Sequence, residues 1–334
     1  MTDGVVLRSG RDDDADGFIA LIGACWAEYP GCILDVDGEL PELRGLGTWF
    51  AEAGGALWAV EQQGRIVGMV GARPLREDGA WEICRMYVDG RARGGGLAHR
   101  LLTAAEDHAR AAGAERMVLW TDTRFARAHG FYEKRGYVRQ GSIRILDDVS
   151  KSLEFRYAKP ARGLVVEALD AAGAASAERR LAEILIACVD GGASVSFLQP
   201  LAAERAQSYW KRVSAEVAQG RRVLLGAWRD GALVGTVQLD LGTPENQPHR
   251  TEIAKLLVDP AARRDGIGRA LMERAEQMAR GVGRSLITLD TRAGDFAEPL
   301  YRGLGYVEAG RIPGYALNGD RTPCDTVFFW KAIA

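Results

Sequence analysis

The sequence predicts an α+β protein built as two successive domains of one design. Three observations carry this expectation: a strand-and-helix pattern that recurs about 170 residues later, a glycine-rich loop between a strand and a helix in each copy, and enough apolar residues for two cores. With 334 residues, 47% of them hydrophobic and 26% charged, the composition is that of an ordinary globular protein.

The balance of charge narrows the function classes. A formal net charge of −2 supplies no broad positive field, so a protein living by phosphate-backbone contacts with nucleic acid is not expected. The five cysteines, Cys25, Cys32, Cys84, Cys188 and Cys324, are scattered without a CxxC pair, and His99, His108 and His129 lack ligand spacing. Neither a disulfide framework nor a metal site is expected, and a reducing cytoplasm fits best. The acidic N-terminal segment does not resemble an export signal, and no run approaches 18 apolar residues, so no membrane span is expected.

Taken in order, each half opens with a short strand and helical material. A hairpin follows, Leu57–Gln62 and Ile66–Gly71 about a Gln63-Gly64 turn, repeated as Val223–Arg229 and Ala232–Asp240 about Asp230-Gly231. The next strand reads EICRMYV at 82–88 and EIAKLLV at 252–258, positions 170 apart. Then comes the glycine loop, and after it a helix whose apolar positions (Leu97, Leu101, Leu102, Ala105, Ala109; Ile267, Leu271, Met272, Ala275, Ala279) keep helical spacing. Another strand ends at Asp122 or Asp290, another helix carries Tyr132 or Tyr301, and a terminal strand or two completes each half. The join is expected near Lys159 to Gly163, giving domains of 1–160 and 161–334.

The loops RARGGGLA (91–98) and ARRDGIG (262–268) sit where backbone amides converge on a helix start, a place suited to an anion. Arg93, Arg263 and Arg264 add charge for a phosphate partner. By itself such a loop is more often a plain turn with a good helix start. No GxxxxGK[ST] occurs, and no GxGxxG with a following acidic residue, so neither a nucleoside-triphosphate loop nor a dinucleotide fingerprint is present. The pattern that does occur is R-x-x-G-x-[GA], as Arg93, Gly94, Gly95, Gly96, Leu97, Ala98 and as Arg263, Arg264, Asp265, Gly266, Ile267, Gly268.

Together with the aromatic runs HGFYEKRGY (129–137) and EPLYRGLGY (298–306), this pattern resembles the GNAT family of N-acetyltransferases, twice in tandem. The second half, through segments 191–197, 233–241, 289–294 and 312–316, is further similar to the tabtoxin-resistance acetyltransferases. The resemblance implies two acyl-CoA N-acyltransferase domains, each a mixed, mainly antiparallel sheet with helices on both faces. It also implies acetyl-coenzyme A as cofactor, its diphosphate held by the loops (with Arg269 following the second) and its pantetheine by strand ends Met86, Tyr87, Val88 and Leu256, Leu257, Val258. The implied reaction is direct attack on the thioester by a primary amine of a small molecule within a ternary complex.

The resemblance makes Tyr132 and Tyr301 general acids for the departing thiolate, a role their ordinary pKa of about 10 permits. For the base, Asp290 and its counterpart Asp122 compete with Glu82 and Glu252. Alternatively these acids hold the substrate ammonium or pair with Arg85 and Lys255. The second half is the stronger candidate for catalysis, both halves are expected to bind coenzyme, and the rival reading is a non-catalytic acyl-coenzyme A sensor.

Overall fold

The computed structural model describes residues 4–75 and 79–333. The chain divides into two compact units: residues up to Tyr132 with Arg139–Arg162, and Glu133–Val138 with the chain from Gly163 onward. In the first half β1 (Val5–Ser9) leads to α1 (Ala15–Trp26) and α2 (Leu46–Glu52), then to β2 (Ala56–Gln62), β3 (Arg65–Pro74) and β4 (Ala80–Val88). After the glycine loop come α3 (Leu97–Ala111), β5 (Arg116–Asp122), α4 (Ala126–Lys134), the short β6 (Val138–Arg139) and β7 (Arg144–Ile145), and β8 (Leu153–Pro160). The second half runs β9 (Leu164–Leu169), α5 (Ala171–Asp190), α6 (Ala203–Ala218), β10 (Arg222–Arg229), β11 (Ala232–Asp240), β12 (Arg250–Val258), α7 (Ile267–Gly281), β13 (Leu286–Arg292), α8 (Ala297–Gly303), β14 (Val307–Leu317) and β15 (Pro323–Ala332).

Each half is thus an α+β domain with a mixed sheet, ordered β1-β2-β3-β4-β5-β8-β6 with β7 against β8, and β14-β15-β13-β12-β11-β10-β9. The β4–β5 and β12–β13 pairings are parallel, and β1–β2, β2–β3, β3–β4, β5–β8, β7–β8, β9–β10, β10–β11, β11–β12, β13–β15 and β14–β15 are antiparallel. The hairpin turns follow from their residues. Gln63, Gly64, Asp230 and Gly231 all adopt positive φ, as a two-residue turn matched to strand twist requires.

Alternation along the strands loads both sheet faces. In the first half Leu57, Ala59 and Met69 pack with Phe18, Ile22 and Phe50 of α1 and α2. On the opposite face Gly68 lies under Leu101 of α3, where an added Cβ would meet the Leu101 side chain at 3.0 Å. In the second half Leu224 faces α5 and α6, with Leu181, Leu185 and Trp210, while Leu225 and Val237 face α7. No helix among the described residues is long and apolar enough to cross a membrane.

At the expected join near Lys159 to Gly163, Lys159 and Pro160 are the last residues of β8, and β9 begins at Leu164. Lys159 is almost fully buried and its Nζ lies 2.9 Å from Glu106 of α3, which is equally buried. The second half repeats the device as Lys331 of β15 on Glu276 of α7, at 2.7 Å to both carboxylate oxygens. Removing one partner of such a pair costs about 3 to 5 kcal/mol, and the lower end applies to Glu106, which Arg110 also reaches at 3.3 Å. Lys159→Met is therefore expected to lower unfolding free energy by about 3 kcal/mol, read from the urea midpoint; an unshifted midpoint would contradict this account of how α3 is fastened.

Candidate functional site

Both halves open the same cleft in the sheet. The parallel ladder between β4 and β5 consists of Ala80/Arg116, Trp81/Met117 and Glu82/Val118, then stops. Between β12 and β13 it consists of Arg250/Leu286, Thr251/Ile287 and Glu252/Thr288, then stops. Beyond each glutamate the strand stays paired on its other side, to β3 as far as Val88 and to β11 as far as Val258. The segments carrying Met86, Tyr87, Val88 and Leu256, Leu257, Val258 therefore present a row of backbone groups toward the gap, as a free sheet edge does.

A bulge shapes each of these strands. Arg85 and Lys255 have φ of 51°, and the register against β3 and β11 slips at these points. A bulge re-aims the side chains that follow the alternation. Without it Lys255 would share the α7 face with Ile253; instead its Nζ donates to Ser196 Oγ at 3.2 Å and lies 5.8 Å from the Tyr209 ring of α6.

The strands then lead into the glycine loops. Gly94 and Gly96 have positive φ, as do Arg264 and Gly266, and Gly96 and Gly266 are the N-caps of α3 and α7 with no capping side chain. The amides of Gly95, Gly96, Leu97 and Ala98, and of Asp265, Gly266, Ile267 and Gly268, find no acceptor among the described residues. A Cβ added at Gly94, Gly95, Gly96 or Gly266 would meet nothing within 4 Å. Open space, exposed donors and a positive helix end make a cradle that fits a diphosphate.

The arginine at the head of each loop also braces its strand end. Arg93 Nε donates to Val88 O at 3.0 Å and both terminal nitrogens grip Glu28 at 2.7 Å. Arg263 likewise donates to Val258 O at 3.3 Å and leans on Cys188 Sγ at 3.7 Å. These side chains strut the strand end. Arg264 remains exposed, Arg269 lies 3.7 Å from Glu273, and the Asp265 carboxylate is taken by Arg229.

The acidic candidates differ sharply between halves. Glu82 is buried, opposite Arg73 in the ladder, and bound by that side chain at 2.6–2.7 Å. Asp122 is buried too; burial works against its ionisation, but the Arg124 side chain and amide hold it below the usual carboxylate range. Arg85 is paired with Glu42 at 2.5 Å. Tyr132 packs against Tyr157, and burial, then the nearby Tyr87 and Cys84, raise its hydroxyl above the ordinary tyrosine value.

In the second half those partners are gone. The residue opposite Glu252 is Asp240, and the nearest cation, Arg250, stands 3.6 Å away. Shielding, then the charge of Asp290, pushes the Glu252 carboxyl above its usual range although 48% of the side chain stays accessible. Desolvation raises Asp290 as well, with Lys255 opposing it, while Arg292 turns away to Asp295 and Asn318. Burial pushes the Lys255 ammonium below its usual range. Tyr301, 5% exposed, is raised by burial, then by Asp295 and Asp290. Its hydroxyl makes no hydrogen bond among the described residues. The structure thus brings Glu252, Asp290, Lys255 and Tyr301 into one electrostatic group.

Around this group lie residues that sequence reasoning did not single out. Tyr209 donates to Gln238 Oε1 at 3.1 Å, and Arg222 donates to the same oxygen at 2.9 Å and to Asp240 at 2.8 Å. Their signal is weak in sequence because they stand on α6, β10 and β11 and meet only across the sheet face. Lys255 was named only as a pairing partner; its positive φ is what brings it to this face.

The acetyltransferase (GNAT) family model matches residues 22–137 and again 193–306. The chain is similar to mycothiol acetyltransferase of Salinispora tropica, 32% identical over 146 residues, covering 42% of this chain and 46% of that protein. It is also similar to the uncharacterized N-acetyltransferase YjgM of Escherichia coli K12, 35% identical over 99 residues, 29% of this chain and 59% of that one. The chain therefore spans about half the length of these curated relatives. A solved structure, the putative acetyltransferase yncA of Salmonella typhimurium with its cofactor acetyl-CoA, aligns over 51% of this chain and 94% of its own, with TM-score 0.43 and 17% identity. Two matches to the family model, each spanning a parted strand and a glycine loop, establish that the chain belongs to the acetyltransferase (GNAT) family in tandem.

Proposed function

We propose that the second half transfers acetyl from acetyl-coenzyme A to a primary amine of a small molecule, by direct attack in a ternary complex and in a cytoplasmic setting. The observation that carries this reading is the contrast in charge at matching positions: acids neutralised by arginine in the first half, acids with raised pKa in the second. Bound at the loop, the coenzyme supplies an activated acetyl thioester.

The residues then divide the work. Amides 265–268 hold the diphosphate and the free edge of Leu256–Val258 aligns the pantetheine. Glu252 accepts the amine's proton, directly or through one water; its raised pKa narrows the gap to an alkylammonium. Shielding from solvent keeps that pKa high, with the charge of Asp290 and, less, that of Asp240 adding to it. Tyr301, protonated at neutral pH, donates to the departing thiolate. The first half retains a loop and Tyr132 and binds coenzyme, while its carboxylates stay locked to Arg73 and Arg124.

Three measurements test this. Tyr301→Phe is expected to lower kcat about a hundredfold in a thiol-release assay, whereas Tyr132→Phe leaves turnover nearly intact; the reverse pattern would move catalysis to the first half. Because the base works deprotonated, kcat/KM rises with pH through a limb above the usual carboxylate range. Asp290→Asn removes a negative charge that holds Glu252 up, so the limb moves to lower pH; loss of turnover at every pH would instead make Asp290 the base. Gly266→Glu combines a disfavoured φ of 74° with a charge inside the cradle, and coenzyme A affinity by calorimetry should fall more than tenfold in that half.

A further inference from the structure

We propose that the amine acceptor carries a carboxylate close to its reacting nitrogen, and that Lys255, with Ser196, reads that carboxylate. The inference rests on the acetyl-transfer reading above and adds the substrate's chemical class.

Lys255 is a half-buried ammonium in no ion pair among the described residues. It nonetheless stands on the face that carries Glu252 and Asp290, whose charges both act on it. Placing a lysine there is costly, since burial disfavours its charged form, and Ser196 Oγ at 3.2 Å is its hydrogen-bond acceptor. Both residues of that contact hold positive φ, 51° at Lys255, a bulge shared with Arg85 of the first half, and 67° at Ser196, conformations that ordinary side chains avoid. Two strained residues from separate elements converge on one contact. Strain of this kind persists where the surrounding structure enforces it, commonly at ligand clamps.

Charge is laid out along the strand in two parts. The acids sit where the parallel ladder ends, and the cation sits at the bulge beyond them. An acceptor with an ammonium at one end and a carboxylate at the other matches that layout: Glu252 and Asp290 receive the nitrogen, and Lys255 with the Ser196 hydroxyl receives the oxyanion. A carboxylate at Lys255 also restores the partner that the ammonium lacks, and charge-assisted bonds of this type are the strong ones. In the first half the equivalent Arg85 is already bound to Glu42, so the same backbone is closed to such a ligand.

The test uses a panel of α-amino acids, each beside its own carboxamide, with acetyl-coenzyme A and the full chain. Wild-type protein is expected to favour the acid over the amide in kcat/KM. In Lys255→Met that preference should fall by about tenfold to a hundredfold, the range for losing a hydrogen bond to a charged group, with the change appearing chiefly in KM. Comparing the two proteins on the same pair cancels the difference in amine basicity between acid and amide. Lys255→Arg keeps the cation and should retain most of the preference. Turnover of acids and amides alike, or a preference untouched in Lys255→Met, overturns this inference while leaving acetyl transfer standing. Absence of thiol release with every amine, although coenzyme binds, overturns acetyl transfer itself and the inference with it.

Discussion

The structure depends on one event in each sheet: a parallel strand pair that is hydrogen-bonded for three residues and then lets go. Everything the site needs follows from that parting. The free edge of β4 or β12 becomes available to a ligand only because β5 or β13 has diverged, and the glycine loop lies at the end of the edge thus freed. The bulge at Arg85 or Lys255 keeps the strand attached to its other neighbour while its side chains are turned. The helix that follows points its unsatisfied amides at the same gap. A sheet paired along its whole length would bury these donors in its own ladder.

Duplication preserved this backbone and changed its charges. Opposite the glutamate where the ladder ends, the first half has Arg73 and the second Asp240. Following the aspartate of the next strand, Arg124 closes onto Asp122, whereas Arg292 is drawn off to Asp295 and Asn318. Arg73 holds Glu82 in an ion pair at 2.6 Å, whereas Asp240 only adds a like charge to the shielding and the Asp290 charge that raise the Glu252 carboxyl. The two halves thus carry different charges on one backbone.

Much of the fold was legible in the sequence because it is written locally. The hairpins are marked by Gln63-Gly64 and Asp230-Gly231, the helices after the loops by their apolar spacing, and the duplication by the 82–88 and 252–258 segments. What was hidden depends on distant residues or on one backbone angle. Nothing in EICRMYV marks Arg85 as a bulge, since a non-glycine at positive φ leaves no compositional trace. Lys159 read as part of a linker because its partner Glu106 is 53 residues earlier and lies on a helix. Position alone also cannot show that the Arg93 side chain reaches Val88 O and Glu28, since Glu28 lies 65 residues earlier. The four acids are legible as candidates from their strand positions, but their surroundings are not: Arg73 beside Glu82, Arg124 beside Asp122 and Asp240 opposite Glu252 stand outside every motif.

Cost is the remaining clue to where chemistry resides. Native proteins pair buried charges and avoid strained backbone unless a function requires otherwise. The first half follows the pairing rule at its cleft, with Glu82 on Arg73, Arg85 on Glu42 and Asp122 on Arg124, although Arg85 keeps the same φ of 51° as Lys255. The second half departs from the pairing rule at the corresponding places. Among the described residues Lys255 has no ion pair, Ser196 is held at positive φ, and Gln238, fully buried, leaves its Nε2 without a partner while its Oε1 serves both Tyr209 and Arg222. Buried polar atoms without a partner also occur elsewhere in this half, at Trp210, Ser214, Arg274, Arg284 and Tyr306, so what sets this face apart is a half-buried cation without an ion pair standing beside the carboxylates of Glu252 and Asp290.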